Sequence, residues 1–117
     1  MDFKKWKDHE FSTGCTAGDD YLDFQKAART YLAGQLRKNG MSLYKFYKNH
    51  YEFSAVAYNP ASERYGYISI VDVRFFHNGW FNDVLYRTME TPTDWTGGMN
   101  HYCSIVDVAK NLKGLLE

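Results

Sequence analysis

The sequence predicts an α+β domain: a long N-terminal helix, a four-stranded antiparallel sheet and a C-terminal helix, with the helices packed on the sheet. Three observations predict it. Apolar residues recur at spacings of three and four from about Ala17 to Lys38, the period of a helix with one buried face. From Met41 to Met89 the period changes to two, as in strands. A second helical pattern then runs to Leu116, so the order is helix, strands, helix.

In the first helix the apolar face is Tyr21, Phe24, Ala28, Tyr31, Leu32 and Leu36. Thr16 or Gly18 caps it, and Asp19, Asp20 and Asp23 lie in its first turns, where the helix dipole favours carboxylates. Arg37 and Lys38 suit the opposite end, and Asn39-Gly40 is a stop signal. Before this helix, Phe11-Ser12-Thr13-Gly14-Cys15-Thr16 reads as a loop of small residues. The first ten residues, with Phe3 and Trp6 as anchors, read as a mobile or edge segment.

Met41–Lys48 and Tyr51–Asn59 alternate as strands on either side of Asn49-His50. The third strand opens the stretch Tyr65–Asn82. Tyr65, Tyr67, Ile68, Ile70, Val71 and Val73 are aromatic or β-branched, and apolar residues on both alternating faces predict a central strand covered on both sides. Asn59-Pro60-Ala61-Ser62-Glu63 and Asn78-Gly79 bound it with turns. Asp83–Met89 makes a fourth strand, and short connections favour an antiparallel meander. Glu90–Gly98 is too rich in Pro, Gly and Thr to be regular. Ser104-Ile105-Val106-Asp107 has the pattern of a cap for the last helix, whose apolar face is Ile105, Val108, Ala109, Leu112 and Leu116.

A chain of 117 residues has the length of one domain with a modest core, and 44% hydrophobic residues without low-complexity runs argue against disorder. Fourteen basic residues balance fourteen acidic ones, so no global field draws the chain to nucleic acid or anionic membrane. No apolar run approaches a membrane span, and the charged start MDFKKWKDHEF lacks a signal-peptide core; a soluble cytoplasmic protein is expected. Cys15 and Cys103 form no Cys-x-x-Cys pair and read as free thiols. Twenty-one of the residues are aromatic, ten of them Tyr, more than a small core can hide. Such an excess points either to a binding surface or to tyrosines half buried on sheet faces with their hydroxyls in water.

Candidate chemistry concentrates after the third strand. Asp72 and Arg74 share a strand face, His77 and Trp80 follow, and Arg87 on the neighbouring strand can join them. Such a group either orients a loop or offers a guanidinium fork to paired oxygens. Trp95, in the glycine-rich loop Asp94–Asn100, either plugs the core or anchors a partner, and Trp80 carries the same choice. Arg37, Lys38, Lys45 and Lys48 occur without an intervening acid, with Tyr44, Phe46 and Tyr47 among them. That pattern suits either a solvated face or a nucleic-acid grip, in which Lys45 and Lys48 would hold the backbone.

Four histidines, His9, His50, His77 and His101, have no metal-ligand spacing, and no cofactor or metal is expected. A metal-free nuclease would need two histidines as acid and base with a cation beside them. His50, His77 and Arg74 are the residues for that role, and nothing in their spacing brings them together. No established catalytic signature is present.

The motifs Phe11-Ser12-Thr13-Gly14-Cys15-Thr16, Ser69-Ile70-Val71-Asp72-Val73-Arg74, Trp80-Phe81-Asn82, Leu85-Tyr86-Arg87-Thr88 and Asp94-Trp95-Thr96-Gly97-Gly98 with Asn100 span nearly the whole chain. In these the chain resembles a family of small proteins carried by phages, plasmids and integrative elements of Firmicutes. The resemblance supplies a setting and no catalytic residue. Small proteins in that setting often act against host defence, including anti-CRISPR proteins that bind Cas nucleases. The expectation is therefore a non-enzymatic inhibitor that binds a larger protein or ribonucleoprotein through Arg74, Trp80, Arg87 and Trp95. A nucleic-acid-binding accessory protein and a small nuclease are the alternatives. A homodimer through an edge strand or aromatic patch is left open.

Overall fold

The protein is an α+β fold, seen here in a computed structural model that describes residues 19–48, 52–70, 84–94 and 98–117. Its elements are α1 (Asp19–Lys38), β1 (Ser42–Lys48), β2 (Phe53–Asn59), β3 (Arg64–Ile70), β4 (Val84–Met89), β5 (His101–Cys103) and α2 (Val108–Leu116). The strands form one antiparallel sheet in chain order, β1-β2-β3-β4-β5. The sheet thus has five strands where the sequence predicts four. His101-Tyr102-Cys103 is too short to display a period of two, and only its pairing with Val84, Leu85 and Tyr86 defines it as a strand.

Helix α1 buries Tyr21, Phe24, Ala28, Leu32 and Leu36 completely, the stripe its spacing predicts, and Tyr31 packs at the margin of the core. Its C-terminus is closed by two backbone bonds, Met41 N donating to Leu36 O at 2.8 Å and Gly40 N to Arg37 O at 3.1 Å. This paired stop requires a left-handed residue, and Gly40 supplies it with φ +74°. Met41 and Leu36, joined by the longer of the two loops, are both buried, so the stop also aims the chain into β1. The candidate caps Thr16 and Gly18 lie outside the described residues.

Helix α2 starts later than the capping pattern implies. Asp107 is its N-cap but makes no side-chain capping bond. Ser104 Oγ donates to Asp107 Oδ2 at 3.0 Å instead, closing a turn over residues 104–107 ahead of the helix. Arg64, at the start of β3, donates from Nη1 to Leu115 O and Glu117 O at the far end, where helix carbonyls lack intrahelical partners.

Both helices lie on one face of the sheet, α1 against β1 and α2 against β3 and β4. The cross-strand register identifies that face. One row is Leu43, Ala57, Gly66 and Thr88; a second is Phe46, Ala55, Ile68, Tyr86 and His101; a third is Lys48, Phe53, Ile70, Val84 and Cys103. Most of these residues belong to, or pack against, the core cluster formed with both helices. Burying each large aliphatic side chain there contributes about 1.5–3 kcal/mol. Phe46 stacks on Phe53 at 5.1 Å, and Phe53 meets Phe24 of α1 at 6.0 Å.

A buried polar tie anchors α1 to the start of β2. Tyr21 Oη donates to Glu52 O at 2.9 Å, and Gln25 Nε2 donates to Tyr21 Oη at 3.1 Å. Tyr21 and Gln25 are both buried, and these bonds satisfy polar atoms that burial would otherwise penalise.

The two faces of the central strand are buried to different degrees. Gly66, Ile68 and Ile70 are buried beneath the helices, whereas Tyr65, Tyr67 and Ser69 on the other face are only partly buried. Tyrosine reads as apolar in a periodicity count, yet its hydroxyl lets it stand half-buried with its tip in water.

Candidate functional site: the tyrosine face of the sheet

The face of the sheet away from the helices has its own three rows. Ser42, Tyr58, Tyr65 and Met89 form the row nearest the β2–β3 turn. Lys45, Val56, Tyr67 and Arg87 form the next. Tyr47, Ser54, Ser69, Leu85 and Tyr102 form the last. The face carries five tyrosines in register and two cations, and none of these strand residues is acidic.

Tyr44 adds a sixth tyrosine by a break in the pattern. The β1–β2 register shifts between Leu43 and Lys45, so Tyr44 is an extra residue in β1. Its ring meets Tyr65 edge-on at 5.3 Å, and Tyr65 in turn lies 5.0 Å from Tyr58. The β2–β3 turn fixes the last pair: Asn59 Oδ1 accepts from Ala61 N at 3.0 Å, Glu63 adopts φ 57°, and Tyr58 is delivered opposite Tyr65. The Tyr65 hydroxyl is held above its ordinary value of 10.0, first by loss of water and then by the neighbouring Tyr44 and Tyr58 phenols. Tyr44 and Tyr102 are 53% and 56% exposed, unusual for large side chains, and Lys45 is exposed as well. Val56 and Met89 on the same face are buried and Tyr47, Tyr58, Tyr65, Tyr67 and Arg87 are half-buried, so what it offers outward is chiefly Tyr44, Lys45 and Tyr102.

Both cations sit against rings. Lys45 Nζ is 5.2 Å from the centroid of Tyr47, and the Arg87 guanidinium is 5.2 Å from that of Tyr67. Arg87 Nη1 also donates to Asn100 Oδ1 at 3.4 Å, while its Nε is buried without an acceptor among the described residues.

Of the residues singled out in the sequence, the structure brings Lys45 and Arg87 into one cross-strand row. It separates Lys45 from Lys48. Lys48 lies opposite Phe53, in the register of the helix-covered face, and Phe46 faces α1 with Arg29 over its ring at 5.9 Å. The two lysines therefore belong to opposite faces of the sheet in register. Arg74, Trp80, Trp95, Asp72, His50 and His77 lie outside the described residues. Sequence reasoning missed Tyr58, Tyr65 and Tyr67; strand alternation across the Asn59–Glu63 turn was the signal that places them together.

Two other places have less to offer a ligand. A recess of about 380 Å³ lies between the ends of the helices and the β2–β3 turn, lined in part by Asn39, Asn59 and Ser62. Its amides are committed to backbone, Asn39 to Gln35 O at 2.8 Å and Asn59 to Ala61 N. Beneath α2, burial raises the Cys103 thiol; a hydrogen bond with Asn111 offsets part of this and the Asp107 carboxylate adds to it. A thiol raised in this way is the opposite of an activated nucleophile. Among the described residues no three His, Cys, Asp or Glu side chains converge to hold a metal ion, and no helix is long and apolar enough to cross a membrane.

No family model, curated protein or solved structure matches the chain.

Proposed function

We propose that this chain is a small non-enzymatic binding protein of a mobile genetic element, an anti-CRISPR-like inhibitor of host defence that engages a Cas protein or ribonucleoprotein. The family resemblance supports the setting. One structural observation carries the binding role: the sheet face opposite α1 and α2 presents Tyr44, Tyr58 and Tyr65 beside Lys45 and Arg87, with no acidic residue among its described strand positions. Tyrosines give large contact area at little entropic cost, and arginine and tyrosine are enriched where partners bind.

The test is an affinity pull-down of the tagged chain from a host lysate containing an active CRISPR system, with and without RNase, read by mass spectrometry. Recovery of a Cas protein by the wild-type chain, reduced for a folded Tyr44→Ala/Lys45→Ala variant, is the expected outcome. Failure to recover any Cas protein, together with undiminished CRISPR interference in cells expressing the chain, would remove the reading.

A further inference from the structure

We infer that the tyrosine face is a platform for single-stranded nucleic acid. This rests on the binding role above and names the chemistry of the partner: bases stacked on tyrosine rings, phosphates held by Lys45 and Arg87. Three observations suit the face to a strand of nucleic acid. The described strand residues of this face include two cations and no carboxylate, and a phosphate backbone is the ligand complementary to them. The exposed groups are aromatic rings with a polar tip, which stack bases without regard to sequence. The dimensions are those of a few nucleotides. Four strand spacings of ~4.8 Å make the face ~19 Å wide, and two steps of ~6.8 Å between its rows make it ~14 Å deep. Sheets of this kind stack about two or three bases.

Within the platform the roles divide by position. Tyr44, raised from β1 by the register shift, is the most accessible ring of the Tyr44, Tyr58 and Tyr65 group and the first stacking surface. Lys45 and Arg87 lie in one row on either side of Val56 and Tyr67, so a strand crossing the sheet from β1 to β4 passes both cations. Tyr102 on β5 is a second exposed ring at the far edge.

The experiment is fluorescence anisotropy of purified full-length protein with labelled U12 RNA and dT12 DNA, at 50 and 200 mM salt. Binding of at least one strand is expected. Neutralisation of two phosphates predicts that affinity falls about sevenfold between those salt concentrations. Lys45→Ala should reduce that ratio to under about threefold. Tyr44→Ala should weaken binding by at least about fivefold, and Tyr44→Phe, which keeps the ring, should not. Lys110→Ala, on the exposed side of α2, is the control and should leave affinity unchanged. Thermal melts establish that each variant is folded. Absence of binding at 50 mM salt, or binding indifferent to both Tyr44→Ala and Lys45→Ala, overturns the inference. If no strand binds while a Cas protein is recovered after RNase treatment, the inference fails and the inhibitor reading stands. If strands bind as described and no Cas protein is recovered, the inference stands and the inhibitor reading fails.

Discussion

Leu112 of α2 lies directly over Gly66 of β3: a methyl group placed on Gly66 would come within 2.6 Å of Leu112 Cδ1 and 2.9 Å of its Cγ. Both residues are buried, so this contact sets how closely the second helix approaches the sheet. Gly66→Ala should therefore destabilise the fold by about 1–3 kcal/mol through overpacking. Leu112→Ala should cost about 2–5 kcal/mol through the opposite defect, a cavity. Urea denaturation of both variants and their combination checks the coupling. The double variant should lose clearly less than the sum, because the added methyl occupies space that the truncated leucine vacates.

Gly40 tests a different reason for glycine. Nothing lies within 4 Å of a Cβ added there, but the residue holds φ +74° at the end of α1. Gly40→Ala should cost about 1–2 kcal/mol, entirely from backbone conformation. Gly40→Asn should cost less, since Asn tolerates the left-handed region. Equal costs for the two, measured by thermal melts, would contradict the account.

Tyr21→Phe removes one hydroxyl from the tie between α1 and β2 and leaves the ring in place. It deletes the bond to Glu52 O and an acceptor of Gln25 Nε2, which also approaches Glu52 O at 3.5 Å. A loss of about 1–3 kcal/mol is expected for a buried network broken in this way. Amide exchange should quicken first at the N-terminal turns of α1.

Stability should fall on the alkaline side. Burial raises the Cys103 thiol above 9.0, and burial likewise raises the Tyr31, Tyr65 and Tyr86 phenols above 10.0. For each group the unfolded chain gives up its proton first, so the native state holds more protons and stability declines with rising pH. The stabilising effect is complete below about pH 9 and is lost as pH climbs through the raised values. Cys103→Ala should flatten the onset near pH 9 and leave the later decline. For the same reason, the thiol should react slowly with disulfide reagents at neutral pH in the folded protein.

Helix α1 and four of the strands were legible because their signals are periodic and long: Tyr21, Phe24, Ala28, Leu32 and Leu36 mark a stripe that only a helix aligns. Strand β5 was not, because three residues carry no period and its existence depends on a partner distant in the chain. The candidate site was legible in composition but not in place. The tyrosine excess fits either a contact surface or tyrosines half buried on sheet faces, and assembling Tyr44, Tyr58 and Tyr65 requires both a hairpin register and the shift in β1. Lys45 and Lys48 are separated on simpler grounds, since residues three apart on a strand face opposite ways.

Because the strand order of the sheet follows the order of the chain, every ladder joins sequence neighbours and none waits for a crossover. The entropy of closing each loop is met in small instalments, so the sheet can zip outward from the β2–β3 hairpin, whose turn spans only residues 60–63. Local pairing of this kind favours fast folding, and early formation of that hairpin is the outcome expected from φ-values in β2 and β3. Tyr58 and Tyr65 would then be brought together among the earliest contacts of the molecule, before α1 closes over the other side.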